Sequence, residues 1–243
     1  MRPRSGVPLD VPAIYRDRDD AGASLAQELE RYRGEHPVVL GIPRGGVPVA
    51  AQVAQRLGAE LDVIVARKLG APGHEELAIG AVTADGARFL NQGAVRSLAV
   101  GEGYLDRITA RETAEARRRE QRFRGAQGPV ALRGRLVILV DDGLATGASM
   151  RAAVRALRLR NPSAIAVAVP IGSRDTCDQF RPEVEEVVCG HTPEPFHAVG
   201  AWYLDFTQTT DDEVRELLDR AAHERRVRRV REDNHATEVA GLR

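Results

Sequence analysis

Leu136-Val137-Ile138-Leu139-Val140-Asp141-Asp142-Gly143-Leu144-Ala145-Thr146-Gly147-Ala148-Ser149 runs from five aliphatic residues through two adjacent carboxylates into a loop of small residues that opens a helical pattern. Five consecutive aliphatics are the pattern of a strand covered on both faces. The carboxyl end of such a strand is where open α/β sheets bind ligands. A Gly/Ser/Thr loop entering a helix there offers N–H and hydroxyl donors to an anion, aided by the helix dipole. Ala145, Thr146, Gly147, Ala148 and Ser149 therefore read as a phosphate cradle. Asp141 and Asp142 would repel the same phosphate, but they suit neighbouring hydroxyls or a divalent cation. A phosphorylated ribose satisfies both halves.

Outward from this stretch, short aliphatic runs alternate with longer amphipathic segments, the signature of βαβ units. Val38–Ile42, Leu61–Val65, Leu136–Val140 and Ile165–Val169 are the predicted central strands, and Val184–Val188 a predicted edge strand. Helices are predicted over 19–33, capped by Asp17 or Asp19, and over 47–57, about 102–123, 149–160 and 211–230. The fold class is α/β: a doubly wound, mostly parallel sheet flanked by helices. The 243 residues, 43% hydrophobic and 29% charged, fit a single domain over 1–231. Residues 67–103 are glycine-rich and read as a long flexible loop with a short embedded hairpin, 190–231 as a C-terminal hood and helix, and 232–243 as a disordered tail.

Lys+Arg and Asp+Glu are 35 each, so no global field favours nucleic acid or an anionic membrane. The arginine-rich stretch 103–124 also carries Glu112, Glu115 and Glu120 and reads as a solvated, salt-bridged helix. Cys177 and Cys189, with eleven residues between them, offer no disulfide framework and no CxxC motif, and a cytoplasmic location is expected. The first ten residues hold no apolar signal core. The longest apolar run, Ala164–Ile171, has eight residues against the roughly 20 that span a bilayer. Neither GxxxxGK[ST] nor a strand-linked GxGxxG is present, which removes ATP-cradling and dinucleotide-binding readings.

The stretch 137–149 resembles the 5-phosphoribosyl 1-pyrophosphate (PRPP) motif of the type I phosphoribosyltransferases: four aliphatic residues, two acids and a Thr-Gly loop. By that resemblance Asp141 and Asp142 hold the ribose 2'- and 3'-hydroxyls while 145–149 wrap the 5'-phosphate. Gly143 departs from the family, many of whose members carry an aliphatic residue there. Ile42-Pro43-Arg44-Gly45-Gly46 again ends a strand and opens a helix, and resembles the family's pyrophosphate loop, with Arg44, Gly45 and Gly46 as ligands. Arg67 and the chain's single lysine, Lys68, stand where family members neutralise leaving pyrophosphate.

Thr192–Phe206 gathers four of the ten aromatics and resembles the base-binding stretch of hypoxanthine-guanine members, which implies stacking by Phe196, Trp202 or Tyr203. The 6-oxopurine members carry an acid before the Thr-Gly, where this chain has Ala145. Adenine-type members carry Ala and take their acid from the flexible loop, where Glu75 and Glu76 are the candidates and Glu76 is preferred. The resemblance thus implies transfer of phosphoribosyl from Mg-PRPP to a nucleobase, adenine-type ahead of 6-oxopurine, with Lys68 and Glu76 as catalytic residues. Mg2+ would come largely through PRPP, with Asp141, Asp142 and Asp205 as its nearest carboxylates. The alternative is a non-catalytic PRPP-binding regulator or sensor. PRPP and a base are the expected partners, and a homodimer is compatible with a sequence that does not set the oligomeric state.

Overall fold

A computed structural model describes residues 13–240. Five strands form a parallel sheet in the order β2-β1-β6-β7-β8: β1 Val38–Gly41, β2 Glu60–Val63, β6 Leu136–Val140, β7 Ala164–Ile171 and β8 Glu186–His191. The four strands predicted for the central sheet are present, with β2 at one edge and β8 at the other. Alternation sorts their side chains between two layers. Val39, Ile138, Val140, Ala166 and Ala168 pack under α1 (Arg18–Glu28) and α2 (Gly46–Leu57). Val38, Leu40, Val137, Leu139, Val167 and Val169 pack against α5 (Ala148–Leu159) and α6 (Arg174–Phe180). β1, β6 and β7 are thus covered on both faces, which is why their aliphatic runs are unbroken.

Residues 67–103 are not a long loop. β3 Ala66–Ala71, β4 His74–Thr83 and β5 Arg88–Leu90 form a separate antiparallel sheet, followed by the short α3, Gln92–Ser97. Two of the glycines that suggest a loop serve close strand approach. A Cβ on Gly80 would lie 2.3 Å from the Phe89 carbonyl oxygen, and one on Gly70 2.5 Å from that of Glu75. β2 ends at Val63, so Arg67 and Lys68 sit within β3, a strand of the antiparallel sheet that begins three residues later.

Helix α4, Glu102–Arg124, is not solvated all round. Glu112 and Glu120 are buried in a stripe with Ile108, Ala116 and Phe123. Glu120 accepts from the Val65 N–H at 3.1 Å and pairs with Arg124, which also binds Asp62 at 2.7 Å and the Val63 carbonyl at 2.8 Å. This network ties α4 to the end of β2, while Glu115 meets Arg118 and Arg119 outside.

Two further expectations need correction. Cys177 of α6 and Cys189 of β8 form a disulfide, because the fold brings their Cα atoms to 6.7 Å. Helix α7, Asp211–Ala240, also continues through most of the stretch expected to be a disordered tail. Among the described residues no helix is long and apolar enough to cross a membrane.

Candidate active site

The PRPP-motif stretch folds as its sequence predicts: β6 ends at Val140, Asp141 and Asp142 follow, and α5 begins at Ala148. Gly147 takes the left-handed conformation, φ +73°, immediately before the helix, and a Cβ there would stand 2.6 Å from Phe180. Helix α6 backs this loop. The Thr176 hydroxyl donates to the Ala145 carbonyl at 2.6 Å, and Leu144 bridges to Gly172 as a short extension of the sheet. Among the described residues nothing accepts the backbone N–H groups of Ala145, Thr146 and Gly147, and Ala145 and Thr146 are exposed. Open donors at a helix N-terminus form an anion cradle.

The glycine loop between β1 and α2 packs directly on the carboxylates. A Cβ at Gly45 would fall 1.9 Å from Asp142 Oδ2, and one at Gly46 2.8 Å from the Asp141 Cα. Only glycine allows this approach. The N–H groups of Arg44 and Gly45 likewise have no acceptor among the described residues. Arg44 itself faces Asp211 at the start of α7, 3.6 Å away, and Arg122 holds the other oxygen of that carboxylate at 3.2 Å.

Asp141 Oδ1 accepts the Asp142 N–H at 2.9 Å. Crowding away from water, and then the neighbouring Asp142 charge, hold the Asp141 carboxyl well above the ordinary carboxylate range. Asp142 is also raised by desolvation, against the pull of Arg18, whose Nε lies 2.8 Å from its Oδ2. Arg18 is absent from the motif and invisible as a site residue in sequence, since it sits in the first turn of α1, more than a hundred residues away. The Tyr203 hydroxyl donates to the Asp142 carbonyl at 2.6 Å. Burial, and then the Asp142 charge, push that phenol up, so it stays a donor.

The aromatic segment departs from expectation. Trp202 and Tyr203 are buried among Tyr15, Ala21 and Ile171, leaving neither ring a free stacking face. Phe206, which the sequence does not single out for stacking, is half-buried and stacks with the Arg18 guanidinium at 3.9 Å. Phe196 is half-buried beside the same cluster. Gly143 now has a reason: a Cβ there would meet Val199 at 2.4 Å, so Val199 of the 190–210 segment fills the space of the missing aliphatic side chain.

Arg67 pairs with Glu112 of α4 at 2.7 Å, and Lys68 is exposed on β3. The Glu76 side chain lies outside the described residues, while Glu75 is exposed, 4.0 Å from Arg111. Asp205 does not join the carboxylate pair. It is exposed and accepts from the Thr207 N–H and hydroxyl, at 2.8 and 2.6 Å, and these bonds hold its carboxyl low. Among the described residues no three His, Cys, Asp or Glu side chains gather as a metal site. A cavity of about 350 Å³ lined by Gln55, Glu60, Arg135 and Leu217 lies elsewhere, between α2 and α7, and includes none of the loop residues above.

Comparison with known proteins gives the chain a family. The model of the phosphoribosyl transferase domain family matches residues 10–189. A Mycobacterium tuberculosis H37Rv protein named as a phosphoribosyl transferase, Rv0571c, is 47% identical over 208 residues, which are 86% of this chain and 47% of that protein. The chain therefore spans about half the length of this curated relative. The bifunctional protein PyrR of Chloroflexus aurantiacus is 32% identical over 133 residues, 54% of this chain and 67% of its own length. The crystal structure of TT1426 from Thermus thermophilus superposes with a TM-score of 0.73 at 46% identity, covering 84% of this chain and 97% of that one. The match of the family model over most of the chain, with the fold shared with TT1426, shows that this chain belongs to the phosphoribosyl transferase domain family.

Proposed function

We propose that the chain transfers the phosphoribosyl group of PRPP to a ring nitrogen of a nucleobase and releases pyrophosphate. The observation that carries this reading is the contact of the two loops across Gly45, Gly46, Asp141 and Asp142. In the donor, the diphosphate and the vicinal hydroxyls hang from neighbouring carbons of one ring, so their binding sites must touch. The 5'-phosphate then falls to the Ala145–Ser149 cradle.

In this reading the C1'–oxygen bond breaks with its electron pair leaving on the diphosphate, the base nitrogen bonds to C1', and the nitrogen's proton passes to a nearby base. Asp141 and Asp142 hold the diol, and the amides of Arg44 and Gly45 meet the diphosphate. Arg44 and Lys68 add positive charge where negative charge develops. Mg2+ would arrive with the diphosphate and would neutralise part of its charge. Asp141 and Asp142 are the carboxylates at hand for it. Glu76 on β4 is the proposed proton handler. Ala145 in place of an acid keeps an adenine-type acceptor ahead of a 6-oxopurine.

The test is pyrophosphate release from Mg-PRPP against a panel of free purines and pyrimidines, with calorimetric PRPP binding on the same sample. Release with one base establishes the transferase and names its acceptor. Binding without release for any base replaces this reading with a PRPP-binding regulator, and no binding overturns the donor site.

A further inference from the structure

The Arg18 guanidinium touches three things at once. Its Nε donates to Asp142 Oδ2 at 2.8 Å, its Nη1 donates to the Thr207 carbonyl at 2.7 Å, and its Cζ lies over the Phe206 ring, 3.9 Å from the centre. The side chain is only 12% exposed and that of Asp142 16%. Local preference does not account for this residue, because a cation in the first turn of a helix opposes the dipole. The α1 helix is capped instead by Asp17, which accepts from the Asp20 N–H. What places Arg18 is tertiary. Gly22 lets α1 lie close on α2, with the Val49 carbonyl oxygen 2.9 Å from where a Cβ would stand. Ahead of the helix, Ile14 and Tyr15 donate to the Trp202 carbonyl, while Leu204 and Asp205 donate to those of Tyr15 and Arg16. The chain at 14–18 is thereby laced to the chain at 202–207.

We propose that Arg18 is a positioning residue for phosphoribosyl transfer, linking the ribose-gripping Asp142 to the Phe206–Thr207 wall on the acceptor side. The inference rests on the donor site argued above. A carboxylate oxygen pair accepts about four hydrogen bonds, so one bond from Arg18 to Oδ2 leaves Oδ1 for a ribose hydroxyl. Two adjacent carboxylates also need a countercharge to stay together in a partly desolvated place, and Arg18 supplies it. The planar fork both orients the carboxylate and supports the ring, which an ammonium cannot do. Arg18 therefore orders the acceptor wall around the same carboxylate that holds the donor.

Calorimetric titration of the full chain with ribose 5-phosphate, for wild type, Arg18→Lys and Arg18→Gln, tests this, with unfolding midpoints and KM for the acceptor base measured alongside. Arg18→Gln should weaken ribose 5-phosphate binding about tenfold or more, the scale of one charge-assisted contact. Arg18→Lys, which keeps the charge, should recover most of that affinity while still raising the acceptor KM. In an Asp142→Asn background the Arg18→Gln effect should disappear. A folded Arg18→Gln protein with wild-type affinity overturns the proposal and leaves the donor site standing. So does tighter binding, which would make Arg18 a competitor of the diol. If Arg18→Gln fails to fold, an Arg18→Lys protein with unchanged affinity and unchanged acceptor KM overturns it. A wild-type protein that binds no ribose 5-phosphate removes the donor site, and the proposal with it.

Discussion

The two sides of the proposed site, donor and acceptor, are built differently. On the donor side, each loop is contiguous in sequence and follows a strand of the parallel sheet, so its geometry comes from a single strand-turn-helix unit. On the acceptor side, Phe206, Val199 and Tyr203 take their places through contacts with Arg18, Gly143 and Asp142, residues far away in the chain. The donor half can keep its chemistry while neighbours vary, whereas the acceptor half depends on the agreement of several distant segments.

The strongest way to break the donor half is Asp141→Asn with Asp142→Asn. Losing hydrogen bonds to two charged acceptors, at about 1.5–3 kcal/mol each, should weaken ribose 5-phosphate binding about a thousandfold in a protein that still folds. Calorimetry and circular dichroism check both halves of the statement, and retained affinity would dissolve the assignment of the diol.

On the acceptor side, Trp202 and Phe206 should separate by burial. Trp202→Ala empties a buried site and should cost about 3–5 kcal/mol of stability in denaturant titration. Phe206→Ala should cost about 1 kcal/mol and act mainly on the acceptor KM. Equal stability losses would mean that Phe206 is only packing.

Gly143 is where the two halves meet. Gly143→Ala should destabilise by about 1–2 kcal/mol through overlap with Val199, and adding Val199→Ala should remove most of that loss. Additive effects in the double variant would show that the contact does not join the segments.

The smallest effect expected is a gain. A carboxyl whose folded-state pKa is raised costs stability once it must ionise, so the cost is absent below the ordinary aspartate range near pH 4 and grows as pH rises. Asp141→Asn should therefore raise the unfolding midpoint at pH 8, with the gain fading towards pH 4. A lower midpoint at pH 8 would mean that the bond from the Asp142 N–H outweighs the repulsion.

Legibility in the sequence follows the same division. The buried strands, the Asp141-Asp142 pair and the two glycine loops are readable because each is a run of neighbours whose pattern has one physical use. Residues 67–103 read wrongly as a loop because glycine marks both loops and close strand approach, and nothing local tells them apart. Glu112 and Glu120 read as solvated because two of their partners, Arg67 and the amide of Val65, belong to other parts of the chain. Trp202 and Tyr203 read as stacking groups because an aromatic run does not show which face its neighbours cover.

By itself, then, the sequence determined the strands of the parallel sheet and the two glycine-bearing loops that lead from them into helices, since strand periodicity and backbone freedom are local properties. Tertiary structure alone decided that Arg18 pairs with Asp142, that Val199 packs where a side chain on Gly143 would stand, and that Cys177 meets Cys189. Those are contacts between segments brought together by burial of a shared core, and side-chain order along the chain carries no record of them.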